Sequence, residues 1–166
     1  MIKTGEKFPA IILKQLGENG MQDISTDAYF TDNPKAVVFA VPGAFTPTCS
    51  ARHLPGYVAQ ADAFATQGIA IACFAVNDPF VMDAWAEAGK AKGKVTMLPD
   101  GNGQLTKALG VGMDGSGYGM GQRAQRCAFY VENGIVRHIA VEAPGKFEVS
   151  SAEAMLESIK NAKAAA

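Results

Sequence analysis

Short runs of apolar, β-branched and aromatic residues recur along the chain, and stretches of helical spacing separate several of them. Such runs are typical of strands, and turn residues bound them here. The predicted strands span residues 11–16, 21–25, 36–41, 69–76, 95–98, 124–131 and 135–142. Glu18-Asn19-Gly20 joins the first two. Glu132-Asn133-Gly134 predicts a hairpin between the last two, because Asn-Gly between apolar runs favours a tight turn.

Helical spacing predicts four helices. They span residues 49–67, 79–90, 105–109 and a final segment from Ser150 or Ser151 to about residue 163, where Glu153 completes a capping box. The order β-β-β-α-β-α-β-α-β-β-α predicts an α/β protein, with a central mixed β-sheet flanked by helices that is compatible with a thioredoxin-like fold. Because no linker or repeat divides the chain, residues 1–166 are expected to form one domain.

A glycine-rich segment, residues 110–121, has a spacing similar to that of dinucleotide-binding motifs. Such a motif has to follow a strand and begin a helix. This segment instead follows a predicted helix and leads into a predicted strand. We therefore reject nucleotide binding and predict a flexible loop.

Composition indicates an ordinary folded protein and excludes several kinds of partner. The 166 residues are 48% hydrophobic and 19% charged with a net charge of −1, which excludes a disordered chain. The sequence has no basic stripe typical of nucleic-acid binding and no polybasic cluster typical of membrane-surface binding. The first residues lack the apolar core of a signal peptide, so a cytoplasmic location is expected.

Cys49 is the strongest candidate for chemistry. It lies in Pro42-Gly43-Ala44-Phe45-Thr46-Pro47-Thr48-Cys49-Ser50, where the third predicted strand turns into a helix. A helix N-terminus carries unpaired N–H groups and a partial positive charge, which favour the thiolate, the reactive form of cysteine. Most single cysteines fill cores, but prolines stiffen the segment that presents this one. The pattern predicts a poised nucleophile.

The remaining cysteines, Cys73 and Cys127, do not complete a known metal or disulfide pattern. Three cysteines without C-x-x-C spacing argue against a disulfide framework and against a dithiol motif. Cys49 and His53 share a helical face, but with no second ligand cluster no metal site is expected. Cys127 follows Arg126 in a predicted strand, so if Arg126 faces Cys49, then Cys127 faces away and is a core residue.

The segment 42–50, followed by His53-Leu54-Pro55-Gly56, resembles the active-site signature of the type II, or atypical (peroxiredoxin-5-like), peroxiredoxins. Residues 76–82, Trp85, Arg126 and the hairpin 131–136 resemble the same group. The resemblance implies a thioredoxin fold and the reduction of hydrogen peroxide and alkyl hydroperoxides by a thiol, without metal, haem, flavin or another bound cofactor. It also implies a homodimer.

The resemblance implies roles for individual residues. Cys49 would be the peroxidatic cysteine, Thr46 its hydroxyl partner, Pro42 the shield at the pocket mouth and Arg126 the guanidinium. Thiolate attack on a peroxide oxygen gives a sulfenic acid. Thr46, which can donate and accept, would hold the peroxide in line, and the charge of Arg126 would favour the thiolate and stabilise the transition state. His53 is expected to brace the loop or contribute to the pocket wall rather than act as a base. The predicted pocket residues are Gly43, Phe45, His53 and Phe80, and Met113 is a further pocket or dimer candidate.

How the sulfenic acid is reduced is left open by the sequence. Cys73 matches the resolving cysteine of plant-like type II members, but the two Cα atoms have to come within about 7 Å for a bridge. Residues 147–151, where another branch has its resolving cysteine, contain none. We expect regeneration by glutaredoxin with glutathione, or by thioredoxin, with Cys73 as an optional partner. A redox-signalling relay, or a cysteine hydrolase using Cys49 and His53, is the alternative function.

Overall fold

The computed structural model describes residues 1–165, so residue 166 of the predicted domain lies outside the described residues. The strands are β1 (Ile12–Gly17), β2 (Gly20–Ser25), β3 (Lys35–Ala40), β4 (Ala70–Ala75), β5 (Thr96–Pro99), β6 (Gly112–Asp114), β7 (Gln122–Ala124), β8 (Cys127–Glu132) and β9 (Ile135–Val141). The α-helices are α1 (Thr26–Asp32), α2 (Leu54–Ala59), α3 (Ala61–Thr66), α4 (Pro79–Ala88), α5 (Gln104–Leu109) and α6 (Ala152–Ala165). A π-helical turn (Cys49–His53) precedes α2, and a 3₁₀ turn (Ser116–Tyr118) follows β6.

Five strands form the central sheet in the order β5-β4-β3-β8-β9. The strands β3, β4 and β5 run parallel, whereas β8 and β9 are antiparallel to their neighbours. The prediction of an α/β, thioredoxin-like fold with a mixed sheet is therefore confirmed. None of the described helices is long and apolar enough to cross a membrane.

Apolar cores pack on both faces of the sheet. One core lies beneath α2, α3, α4 and α6 and includes Cys49, Cys73 and Trp85. The other lies beneath α1 and α5 and includes Cys127. Because successive strand residues point to opposite faces, Cys127 and Arg126 diverge, and the predicted orientation of Cys127 away from Cys49 is confirmed. Buried on both faces, β3 is completely shielded from water over residues 36–40.

The prediction of one continuous helix over residues 49–67 is wrong. The segment consists of the π-helical turn, α2 and α3, and α2 ends where Gln60 leaves helical geometry (φ −96°, ψ 8°). In the π-helical turn the Leu54 N–H donates to the Cys49 carbonyl, one residue further back than in an α-helix. The hydrophobic spacing continues through both irregularities, so the sequence pattern does not reveal them.

Two further segments differ from the predictions. The short helix α1 was not predicted, because only Tyr29 and Phe30 supply large buried apolar side chains to its seven residues. The predicted flexible loop 110–121 is wrong in part, since β6 lies within it and pairs with β7, Met113 opposite Arg123. Gly119 closes this small hairpin with a φ of +71°, a conformation that glycine adopts without steric cost.

Candidate active site

The chain turns sharply between β3 and the helix that carries Cys49. The Thr46 N–H donates to the Gly43 carbonyl (3.3 Å), and Phe45 between them has a φ of +64°, which is uncommon for a bulky residue. Helical geometry begins at Pro47, whose fixed φ suits a first turn. The structure therefore places Cys49 in the first turn of a helix, next to N–H groups that lack intrahelical acceptors.

The sulfur of Cys49 is buried and faces a guanidinium. Arg126 donates from Nη2 to Cys49 Sγ at 3.1 Å. Arg126 immediately precedes β8, and its carbonyl accepts from the Glu142 N–H (3.0 Å) at the end of the β8–β9 hairpin. A permanent positive charge at this distance from sulfur favours the thiolate over the thiol.

Thr46 and Gly43 shape the wall beside the sulfur. Thr46 Oγ1 donates its proton to the Gly43 carbonyl at 2.7 Å. Toward an approaching hydroxyl or peroxide, this oxygen can therefore act only as a hydrogen-bond acceptor. A Cβ on Gly43 would lie 2.9 Å from Arg123 Nη1 and 3.2 Å from Thr46 Cγ2. Arg123 also donates from Nη1 to the Pro42 carbonyl, at 3.4 Å. Glycine at 43 therefore lets Arg123 approach the turn.

His53 is completely buried, and both of its ring nitrogens are engaged. Arg126 donates from Nη1 to His53 Nδ1 at 2.9 Å, and the Ser150 carbonyl lies 3.0 Å from Nε2. Because a guanidinium only donates, Nδ1 carries no proton and Nε2–H donates to Ser150. Burial, assisted by the Arg126 charge, lowers the pKa of His53 to about 3. Among the described residues no hydrogen bond joins His53 to Cys49.

Glu142 fixes the segment that supports His53. Its carboxylate oxygen Oε2 accepts from the backbone N–H groups of Glu148 and Ser150 (both 2.8 Å) and from Ser150 Oγ (2.7 Å). Burial raises the pKa of Glu142, but these hydrogen bonds lower it by more, and the net pKa is below the ordinary value. Ser150 presents its carbonyl to Tyr57 Oη (2.8 Å) as well as to His53. Hydrogen bonds thus connect the Cys49 sulfur to the start of α6.

A cavity of about 420 Å³ opens beside these groups. Pro42, Arg126 and Glu142 are among its lining residues, and Met113 and Phe147 supply apolar wall. Cys49 itself does not line the cavity, and neither do the predicted pocket residues Gly43 and His53. Phe45 and Phe80, which the resemblance assigns to the pocket, do not line this cavity and are 55% and 60% exposed. The cavity reaches Arg126, the guanidinium that contacts Cys49 Sγ, and it has room for a small polar molecule with an attached apolar group.

Comparisons with known proteins show which family this chain is similar to. The family model described as Redoxin matches residues 3–156. The chain is 45% identical to the chloroplastic peroxiredoxin-2E-2 of Oryza sativa subsp. japonica, covering 95% of this chain and 72% of that protein. It is 39% identical to peroxiredoxin-2C of Arabidopsis thaliana, over 95% and 98%. Reduced Prx3 of Vibrio vulnificus, crystallised with hydrogen peroxide, superposes with a TM-score of 0.91 at 48% identity, over 96% of this chain and 99% of that one.

This chain belongs to the peroxiredoxin family. It is of the type II kind and is a thiol-dependent peroxidase, as the resemblance implied. Of the predicted residues, Arg126 contacts both Cys49 and His53. Thr46 bonds to Gly43 in the turn before Cys49, and Pro42 lines the same cavity as Arg126. In the described part of the chain, no group of three or more His, Cys, Asp or Glu residues could hold a metal ion.

Several supporting residues of this peroxiredoxin were not identified from the sequence. Asn77 Oδ1 accepts from the backbone N–H of residue 44 (2.9 Å), and Trp85 Nε1 donates to Ser50 Oγ (3.0 Å). Residues 76–82 and Trp85 were part of the family resemblance, which was the available signal. The sequence contained no signal for Arg123, Tyr57 and Ser150, because their contacts with the site join distant parts of the chain.

Cys73, the possible resolving cysteine, lies inside the sheet. It pairs with Phe39 in the middle of β4 and is completely buried. Burial raises the pKa of its thiol well above the ordinary value, and the nearby Cys49 raises it further. Cys73 is therefore protonated in this structure, and a protonated thiol is unreactive.

His53 should make the stability of this peroxiredoxin dependent on pH. The pKa of His53 is 6.5 in the unfolded chain and about 3 in the folded protein, so the unfolded chain binds a proton at a higher pH. The stabilisation is therefore complete above pH 6.5 and is lost as the pH falls toward 3, by at most about 1.4 kcal/mol per pH unit. Urea unfolding at several pH values should show the wild type losing stability faster than His53→Gln below pH 6.5. Parallel curves for the two proteins would contradict the assignment.

Proposed function

We propose that residues 1–166 act as a single-domain peroxidase that reduces hydrogen peroxide and alkyl hydroperoxides at Cys49. The observation that carries the proposal is the 3.1 Å hydrogen bond from Arg126 Nη2 to Cys49 Sγ in the first turn of a helix. The thiolate attacks the hydroxyl oxygen of the hydroperoxide, and the O–O bond breaks. The sulfur is oxidised to sulfenic acid, while the departing oxygen takes the electron pair and a solvent proton and leaves as water or alcohol.

Each neighbouring group has a role in this proposal. Arg126 stabilises the thiolate and the charge that develops on the departing oxygen. Thr46 accepts a hydrogen bond from the peroxide, because its own proton is held by the Gly43 carbonyl. Pro42 lines the same cavity as Arg126 and limits the approach of water. No bound cofactor is needed, since the electrons come from a thiol.

The size of the cavity supports organic hydroperoxides as substrates in addition to hydrogen peroxide. Its volume of about 420 Å³ exceeds what a single small peroxide fills, and Met113 and Phe147 offer apolar contact to an alkyl chain. The alternative of a cysteine hydrolase is not favoured, because both nitrogens of His53 are bound to groups other than Cys49.

Oxidation of Cys49 is the first test of this proposal. One equivalent of hydrogen peroxide should add about 16 Da, the mass of one oxygen, to Cys49 before any external thiol is supplied. Peptide mass spectrometry after trapping with a sulfenic-acid reagent would locate the change. Cys49→Ser should abolish the addition and all turnover, whereas Cys127→Ser, altered on the other face of the sheet, should retain both. Oxidation at Cys73 or Cys127 with Cys49 unmodified would overturn the proposal.

For regeneration of Cys49 we propose an external thiol, supplied by glutaredoxin with glutathione or by thioredoxin, with Cys73 as an optional partner. The complete burial of Cys73 in β4 and its raised pKa support this choice. A disulfide between Cys49 and Cys73 would also require the helix around Cys49 to open. A cytoplasmic location belongs to the same proposal, since these reductants act in reducing compartments.

The choice of reductant can be tested with a panel of thiols under steady peroxide. Turnover with glutathione and glutaredoxin should stay within about twofold of wild type in Cys73→Ser, because the external thiol attacks the Cys49 sulfenic acid directly. Cys127→Ser is the matched control, being equally buried on the opposite face of the sheet. A folded Cys73→Ser protein that forms the sulfenic acid but cannot turn over would contradict the one-cysteine cycle.

We also propose that the protein is a homodimer. Phe45 and Phe80 are exposed, and the bond between Asn77 and residue 44 joins the turn that carries Phe45 to the segment that leads into α4, where Phe80 lies. Exposed aromatic side chains at one place are typical of an interaction surface. Sedimentation velocity should show a dimer that Phe80→Ser weakens at least about tenfold. Ile12→Ser, which alters another exposed apolar residue outside this surface, should not weaken it, and a monomer at all concentrations would contradict the proposal.

A further inference from the structure

The guanidinium of Arg126 has two nitrogen atoms with different partners. Nη2 donates to the Cys49 sulfur at 3.1 Å, and Nη1 donates to His53 Nδ1 at 2.9 Å. A guanidinium is planar, so fixing one nitrogen constrains where the other one points. The position of Nη2 at the sulfur therefore depends on what holds Nη1.

The imidazole of His53 is itself fixed from its far side. Its Nε2–H donates to the Ser150 carbonyl, which the hydrogen bonds from Ser150 to Glu142 hold in place. Phe39 and Phe147 pack on the ring with centroid separations of 4.8 and 5.0 Å. The ring cannot rotate without losing these contacts, and the bond to Ser150 keeps the lone pair of Nδ1 directed at Arg126.

Burial, and after it the charge of Arg126, lowers the pKa of His53 and keeps the ring neutral, which this arrangement requires. Arg126 faces it from the start of β8, and Arg52 lies one residue before it and stacks on Phe147 at 4.6 Å. The charge of Glu142, the residue after β9, raises the pKa of His53, but this is outweighed by burial and Arg126, and Glu142 is itself hydrogen-bonded to Ser150. A protonated ring would lose its acceptor and repel Arg126.

We propose that His53 is a positioning residue for peroxide reduction, which holds Arg126 so that its second nitrogen faces the Cys49 sulfur. The inference rests on the proposed role of Cys49 but assigns His53 a function that is neither general base nor pocket wall. Losing His53 leaves Arg126 charged but free to turn toward the cavity, so that both the thiolate and the transition state lose a fixed donor.

Two substitutions of similar length test this role. Gln in place of His53 can accept from Arg126 and donate to Ser150, whereas Met fills the space and can do neither. The second-order rate of Cys49 with hydrogen peroxide should fall about tenfold or more in His53→Met and stay within about threefold of wild type in His53→Gln. The pH at which alkylation of Cys49 reaches half its maximal rate should rise in His53→Met only.

A double-mutant cycle separates positioning from general destabilisation. In an Arg126→Met background, His53→Met should change the rate by less than about twofold, because the group through which His53 acts is gone. Additive losses would overturn the proposal, as would a wild-type rate in His53→Met. His138→Met, at the chain's other histidine, controls for loss of an imidazole and should leave the rate unchanged.

The proposal can still be tested if His53→Met does not fold. Should His53→Met be unfolded by circular dichroism, His53→Asn replaces it, since its shorter amide cannot span from Arg126 to Ser150 and should lose the same rate. Tyr57→Phe removes a different donor from the Ser150 carbonyl, so it should lower stability yet react several-fold faster than His53→Met. If wild-type Cys49 does not react with peroxide, the proposed function fails. If it reacts and the His53 variants react equally fast, only the positioning role fails.

Discussion

A buried sulfur that has to be ionised needs a positive charge beside it, and that charge in turn needs partners that do not cancel it. Arg126 is half-buried, and withdrawing an unpaired guanidinium from water costs more than a single hydrogen bond returns. In this peroxiredoxin Arg126 is shared between the Cys49 sulfur and the neutral ring of His53. A carboxylate in the place of His53 would have neutralised Arg126 and weakened its effect on the sulfur. A neutral acceptor satisfies the donor and leaves the charge available.

The sheet brings these distant residues together. In the antiparallel pairing of β3 and β8, Ala40 lies opposite Cys127, so Arg126 stands level with the turn that follows β3. The parallel pairing of β3 with β4 places Asn77, at the end of β4, against the same turn. The loop after β9 then returns Ser150 to the back of His53. Pairing register, rather than any local preference of the active-site segment, sets the geometry around Cys49.

The sequence predicted what depends on local pattern. The buried strands, the β8–β9 hairpin and the position of Cys49 at a strand–helix junction were all correct, because apolar runs, Asn-Gly and Pro-Gly act locally. The π-helical turn and the interruption at Gln60 were missed, since hydrophobic spacing continues through them. The small β6–β7 hairpin was taken for a loop because its pairing partners stand apart in a glycine-rich stretch. The bond from His53 to Ser150 joins residues 97 positions apart, and no spacing rule could indicate it.

The contacts that favour reaction of Cys49 with a peroxide oppose its later contact with a reducing thiol. The cavity admits a small peroxide as far as Arg126, but Cys49 is completely buried and a protein thiol cannot approach it in the folded site. Exposing the sulfur means unwinding the π-helical turn and breaking the bonds from Arg126 to Cys49, from His53 to Ser150 and from Trp85 to Ser50. Oxidation removes the charge from the sulfur and so weakens the first of these bonds. The segment that must be ordered for the first half-reaction is therefore the one that has to open for the second.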